Sequence, residues 1–290
     1  MYDFQAGKVE VFNVDREASF GFFLQDQDYD GDGILLHYSE VVGDVRVGDD
    51  VEVFLFHDKQ GRLTATMKIP AIVQGTYGWV EVVDVHPDLG VFVSIGISKD
   101  VLISADDLPR FVELWPAKGD QLYITLETDK NGRMYGKLAT ENIIKEIATN
   151  AEGKLYNQKL KGRVYRLLRV GTYVLSEEGY RCFVHETQRT KEPRLGELVE
   201  GRVVDVKPDG SINLSFLPFK QEKMGGDAEK IYEYMATRGG AMPYWDKTQA
   251  DIIQEIFGLS KGAFKRALGK LMKDGRVYQE DGWTYYSERK

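Results

Sequence analysis

Residues 26–31 set Asp26, Asp28, Asp30 and Gly31 in D-x-D-x-D-G spacing. That is the opening of a calcium loop, in which alternating carboxylates converge on one hard cation and the glycine makes the turn. The twelfth position of such a loop supplies a bidentate glutamate. Here it is His37, and the flanking GFFLQ and ILLHYS runs alternate like strands, not helices. The acidic run therefore reads as an exposed connection between two strands, and no metal is assigned to it. Zinc fares no better, because Cys182 is the only cysteine and His37, His57, His86 and His185 never occur as H-x-H or H-x-x-x-H. The chain has no G-x-S-x-G elbow, no Walker loop and no G-x-G-x-x-G opening a helix after a strand. Neither an enzyme nor a cofactor is expected. Cationic chemistry is better represented. Lys154, Lys159, Lys161, Arg163, Arg166 and Arg169 lie between Gly153 and Ser176 with no acid among them, and SKGAFKRALGKLMKDG (260–275) carries Lys261, Lys265, Arg266, Lys270 and Lys273. Either cluster is able to neutralise phosphates, and the first is equally readable as a solvated face.

The elements that would carry these side chains are short and repeated. Over residues 8–138, β-branched and aromatic runs such as KVEVFNV, GFFLQ, DVEVFLF and RLTATMKI alternate with turn residues, then recur in the same order. This is the pattern of an all-β barrel or sandwich, not of βαβ units. Three segments align: SFGFF, LGVFV and VGTYV each put an aromatic two residues after a glycine, followed by ILLHYSE, DVLISAD and RCFVHET. VGDDVEVFL, KGDQLYITL and LGELVEGRV then open a strand, and HDKQGRLTA and TDKNGRMYG form hairpins with KPDGSINLS as a degenerate third copy. The glycines at 61, 132 and 210 supply the positive φ of a tight hairpin, and those at 21, 90 and 171 let a strand bend around a small barrel. ATENIIKEIATNAEG (139–153) has helical spacing and reads as a linker helix. From Gly225 the pattern becomes helix, helix, helix and hairpin: Ser260 is an N-cap candidate, Ala263, Phe264, Ala267, Leu268 and Leu271 form a core stripe, and Asp281-Gly282 makes the last turn. The expected organisation is three tandem five-stranded OB-type barrels (1–70, 71–152 including the linker helix, 153–222) and an α+β winged-helix domain (223–290), a mainly β fold with some α.

The order G-x-V, F-G-x-F, L-L-H-Y-S-E, G-D-x-V and D-x-x-G-R resembles the S-one type of RNA-binding domain. The first copy matches nearly throughout, the second lacks the histidine and the third lacks the arginine. Three such copies followed by a winged helix resemble the layout of the bacterial conserved virulence factor B family, over essentially the whole chain. The resemblance implies OB-type barrels with single-stranded RNA across one face, bases stacking on rings at about 1–3 kcal/mol each. It implies Phe20 and Phe23 as a stacking pair beside His37, with Asp58 and Arg62 flanking the face. In the second copy it implies Phe92, Asp129 and Arg133, with Leu89 in place of the first aromatic and Ser104 near the histidine position. In the third it implies Tyr173 and His185, with Val170 and Ser211 where the first aromatic and the arginine would stand. Copies two and three are thus the weaker candidates, although the third lies beside the basic run. Competing readings stay open: either phenylalanine as an inward core residue, His37 as a satisfied strand-end residue, and the hairpin arginines as partners of the nearby carboxylate, a pair contributing roughly 0–1 kcal/mol.

The net charge of −8 argues against indiscriminate polyanion binding. No apolar run approaches a membrane span, and MYDFQAGKVE lacks the features of a signal peptide. The expectation is a cytoplasmic protein with no membrane partner, binding single-stranded RNA in post-transcriptional or virulence-gene regulation. Lys161, Arg163 and Arg166, with Lys261, Lys265, Arg266 and Lys270 of the winged helix, would hold the backbone. Two alternatives stand: a winged-helix DNA-binding transcription regulator, although Asn and Gln readers are missing from its basic helix, and a ribosome- or polymerase-associated adaptor.

Overall fold

The computed structural model describes residues 4–25, 33–153, 155–218 and 220–287, with the backbone alone for 220–225. The acidic run considered as a calcium loop and Lys154 of the basic run lie outside the described residues. The chain divides into two compact units, Met1–Phe216 and Leu217–Lys290.

In the first unit, β1 (Val9–Ala18), β2 (Gly21–Gln25), β3 (Ile34–His37), β4 (Asp50–His57) and β5 (Leu63–Thr66) close into a barrel in the order β1-β2-β3-β5-β4. Only β3 and β5 run parallel, and a register shift between Val14 and Arg16 bends β1 so that its two halves pair with β4 and β2. The period-two alternation puts Phe12, Val14, Phe22, Leu24, Ile34 and Leu36 inside, which leaves Phe23 and Leu35 on the outer face; Arg16, of the same parity as Val14, joins them because the register shift turns it to pair with Phe23. β6 (Gly78–His86), β7 (Gly90–Ser94), β8 (Val101–Ser104), β9 (Gln121–Thr128) and β10 (Met134–Leu138) repeat the topology as a five-stranded sheet, order β10-β9-β6-β7-β8. Among the described residues, β8 and β10 share no ladder. Side chains fill the seam instead: a Cβ on Gly136 would come within 3.0 Å of Ile103 Cγ1. β11 (Lys159–Leu168), β12 (Gly171–Ser176), β13 (Arg181–His185), β14 (Leu198–Val206) and β15 (Ile212–Ser215) again close, in the order β11-β12-β13-β15-β14.

The three bodies share one unit because their cores meet. Phe54 and Phe56 of β4 and Leu195 before β14 join the buried cluster of the second sheet around Val82, Val93 and Ile124. Arg194 donates through Nε and Nη2 to the nearly buried Asp120 carboxylate at 3.1 and 3.2 Å, tying the third barrel to the second. The expected linker helix is shorter than its sequence pattern: α1 covers Glu141–Ile147. It ends because the chain turns extended at Ala148, and Thr149 then bridges to Tyr180 beside β13.

In the second unit, α2 (Lys220–Ala236), β16 (Ala241–Met242), α3 (Ala250–Phe257), α4 (Lys261–Lys273), β17 (Val277–Glu280) and β18 (Trp283–Tyr286) form a winged helix. α2 runs through Gly225 and Gly226, where missing side chains erase the periodic signal. Gly258, left-handed at φ 63°, ends α3, and the Ser260 hydroxyl accepts from the Ala263 N–H to start α4. Ile231, Met235, Ile253, Phe257, Phe264, Leu268 and Leu271 make the core, each such burial contributing about 1.5–3 kcal/mol. The hairpin gains a third strand that a two-residue run cannot announce, in the order β16-β18-β17.

Candidate nucleic-acid interface

The two histidines and the serine at matching positions share a structural task. His37, Ser104 and His185 each end the third strand of their barrel and cap the 3-10 turn that follows. His37 Nδ1 accepts from Ser39 N–H at 3.1 Å, Ser104 Oγ from Asp106 N–H at 3.3 Å and His185 Nδ1 from Thr187 N–H at 3.3 Å. A Nδ1 that accepts a backbone N–H leaves the proton on Nε2 in the neutral ring. Both histidines are exposed, so each presents an Nε2–H donor to solvent.

On the first barrel, Phe20 (46% exposed) and the half-buried Phe23 both face outward with ring centroids 6.0 Å apart, while the inward ring is Phe22. Arg16 lies 4.4 Å from the Phe23 centroid and covers part of that ring. Arg62 is engaged: its Nε and Nη2 donate to Asp58 Oδ2 at 2.9 and 2.7 Å, while Asp58 Oδ1 accepts from the Gln60 and Arg62 N–H groups. Burial pushes the Asp58 carboxyl up, but the Arg62 and Gln60 donors outweigh it and hold the group below the ordinary range.

The second sheet repeats this lock with Asp129 and Arg133, at 3.0 Å for both Nε and Nη2. Two polar side chains of this body are paired within it, and Trp79, Tyr123 and Tyr77 form a ring cluster beside them. Tyr135 donates to Glu127 at 2.6 Å and Lys137 to Asp107 at 2.6 Å. The Glu127 carboxylate, with some burial, pushes the Tyr135 phenol up to about 12. Phe92 stands half-buried between Asp84 and Leu102 on the neighbouring strands.

Among the described residues the third barrel carries the longest row of rings on the barrels, although its sequence matches the repeat less well. Tyr165, Tyr173, Phe183 and His185 follow one another across β11, β12 and β13 at centroid spacings of 5.9, 5.0 and 6.4 Å. Arg166 lies 6.0 Å from the Tyr173 centroid and Lys207 5.9 Å from that of Phe183. The hairpin arginine absent here is replaced from another strand: Arg181 Nη2 donates to Asp209 at 3.3 Å, while Ser211 satisfies the other carboxylate oxygen at 2.6 Å. Of the predicted cations, Arg166 reaches the rings. Lys161 and Arg163 instead lie on the half of β11 that pairs with β14, opposite Glu200 and Leu198. Gly171 permits the packing, since a Cβ there would sit 2.4 Å from the Val184 carbonyl and 2.6 Å from Phe183 Cζ. Beneath the row, Cys182 is buried and its thiol is pushed up to about 12, chiefly by burial. Phe183, Tyr165 and Arg181 are the residues that sequence reasoning missed. Phe183 was within reach, because it stands two residues before His185 and so shares its face.

On the winged helix, Lys261, Lys265, Arg266, Lys270 and Lys273 are exposed along α4, opposite its buried stripe. Lys265 lies 3.7 Å from Asp246. Tyr278, Tyr285 and Trp283 form a second row, nearly parallel at 24° and 20°, on the hairpin. Among the described residues, no group of three or more His, Cys, Asp or Glu could hold a metal ion, and no helix is long and apolar enough to cross a membrane.

Known proteins share this order of domains. A model of the S1 domain matches residues 6–68 and one described as the CvfB first S1-like domain matches residues 77–137. Residues 144–218 match the second domain of virulence regulatory factor CvfB, and residues 229–285 a CvfB-like winged helix domain. The uncharacterized protein YitL of Bacillus subtilis (strain 168) is 53% identical over 279 residues, 96% of this chain and 93% of its own. Conserved virulence factor B of Staphylococcus epidermidis is 40% identical over 256 residues, 87% of this chain and 85% of its own. The crystal structure of a multidomain protein with nucleic acid binding domains from Streptococcus pneumoniae has a TM-score of 0.68 at 38% identity, covering 97% of this chain and 98% of that one.

Proposed function

Because the chain belongs to the conserved virulence factor B family, we propose that it is a nucleic-acid-binding regulatory protein whose ligand is single-stranded RNA. The observation that carries this reading is the row Tyr165, Tyr173, Phe183 and His185 along one outer face of the third barrel, covered by Glu141 of α1 at its Tyr165 end and flanked by Arg166 and Lys207. Rings spaced in this way accept unpaired bases on their π faces whatever the base, and cations beside them meet the backbone. A duplex keeps its bases stacked and offers such a row nothing to receive. The Phe20 and Phe23 pair of the first barrel serves as a smaller second platform, with Arg16 already on one ring. The histidine Nε2–H donors next to both platforms are placed to bond base edges or ribose hydroxyls. In the cell the reading corresponds to a cytoplasmic factor acting on transcripts, in post-transcriptional or virulence-gene regulation.

A second reading has its own support, since the five exposed cations of α4 suit the phosphates of duplex DNA. Photo-crosslinking separates the two. Single-stranded RNA carrying a photoreactive pyrimidine should crosslink to the peptides containing Tyr173, Phe183 and His185. Crosslinks confined to α4, obtained with duplex DNA and not with RNA, would instead support the transcription-regulator reading.

A further inference from the structure

The carboxylate that sits on the cations of the third barrel comes from outside that barrel. Glu141, the first residue of α1, accepts from the Tyr165 hydroxyl at 3.1 Å and from Arg181 Nη1 at 3.4 Å, and lies 3.6 Å from Arg166 Nη1. Two guanidiniums and a phenol thus converge on one anionic point, and the side chain of Glu141 keeps only 20% of its exposure. Burial, with Glu141 next, pushes the Tyr165 phenol far up, so the hydroxyl stays a donor at any working pH. A cleft of about 250 Å³ opens beside this point, lined by Tyr173, Phe183, Lys145, Lys207 and Arg181 together with the Asp209 carboxylate that Arg181 Nη2 also meets. Anion donors and a ring floor therefore adjoin, as a phosphate and its base adjoin in a single strand.

We propose that Glu141 holds the place of a backbone phosphate. In the complex, one phosphodiester of the RNA meets Arg166, Arg181 and the Tyr165 hydroxyl, its base enters the cleft over Tyr173 and Phe183, and Glu141 withdraws. A phosphodiester carries the same single negative charge as the carboxylate and offers the same acceptor oxygens, so the donors lose no partner in the exchange. The helix is suited to giving way. It is seven residues long, Thr140 makes no side-chain cap bond, and Ile144 anchors it one turn further on, so only its first turn must unwind. α1 thereby makes the free protein weaker for RNA than its cations alone would, and sets a threshold for binding.

This inference rests on the RNA reading, and one experiment separates their failures. Binding of a fluorescent oligouridylate to the full chain is followed by anisotropy at 50 and 200 mM salt for the wild type, Glu141→Ala and Glu141→Gln. Both variants should bind at least threefold tighter at 50 mM salt. The wild-type complex makes the same phosphate contact once Glu141 withdraws, so the salt slope should change little and the gain should persist at 200 mM. Adding Arg181→Ala to Glu141→Gln should abolish the gain. If Glu141→Ala lowers the melting temperature, the near-isosteric Glu141→Gln decides. Wild-type binding with no tightening in that variant overturns the phosphate site and leaves the RNA reading standing. An absence of binding by all three proteins overturns both.

Discussion

Truncating Phe183 is the sharpest single perturbation of the proposed platform. Its ring is the middle of the row, 5.0 Å from Tyr173, 6.4 Å from His185 and 5.9 Å from Lys207 Nζ. A base resting there loses its π surface in Phe183→Ala, a cost of about 1–3 kcal/mol, or roughly 5- to 150-fold in Kd. The cost to the fold should be smaller than that of a core truncation, because Phe183 is half-buried on the outer face while the inward Cys182 and Val184 are untouched. No charge is removed, so the dependence of affinity on salt should keep its slope. The assay is anisotropy of a labelled single-stranded RNA titrated with wild type and variant over a salt series, with a thermal melt of each protein. Phe23→Ala, run beside it, should cost less, since Arg16 already lies 4.4 Å from that ring's centroid. A correctly folded Phe183→Ala protein that binds within twofold of the wild type, or shows a flattened salt slope, refutes stacking on the third barrel.

Gly171→Ala should damage fold and site together, because its Cβ would fall 2.4 Å from the Val184 carbonyl and 2.6 Å from Phe183 Cζ; overpacking of this kind costs about 1–3 kcal/mol and should appear as an earlier unfolding transition with weaker RNA binding. Lys265→Ala with Arg266→Ala should lower affinity for any polyanion and flatten the salt slope by up to about 1.4 for single strands, measured in the same titration; an unchanged slope removes α4 from the interface. The Arg133 N–H, followed on the favourable side by the Asn131 N–H and the Arg133 guanidinium, holds the Asp129 carboxyl below its ordinary range. A depressed carboxyl adds stability that is present in full above the unfolded value of about 3.9 and is lost as pH falls through the lower folded value. Asp129→Asn should therefore reduce stability at neutral pH and make the acid limb of a stability profile shallower below about pH 4.

The barrels were legible because each depends on signals that repeat along the chain. Alternating apolar residues and the hairpin glycines at 61, 132 and 210, all at positive φ, recur three times and reinforce one another. The Ser260 cap, the stop at Gly258 and the Asp281-Gly282 turn were equally local and equally readable. The site was read less well, since its geometry depends on which strands become neighbours. The third barrel looked incomplete because Ser211 stands near the arginine position, yet Arg181 supplies the guanidinium from another strand, 28 residues away along the chain. Glu141 gives no signal at all in sequence, where it is an ordinary acid opening a helix. In sequence the histidines suggest only a ligand, and their caps on the 3-10 turns are visible only with the backbone N–H groups in place.

The central claim is that rings on outer barrel faces select an unpaired strand. Competition tests it most directly: the intact protein, saturated with a labelled single-stranded RNA at fixed salt, is challenged with unlabelled RNA of the same sequence and with the corresponding DNA duplex. Displacement by the RNA at concentrations at least tenfold below those needed for the duplex is the predicted result. Displacement by the duplex at equal or lower concentration would contradict the account.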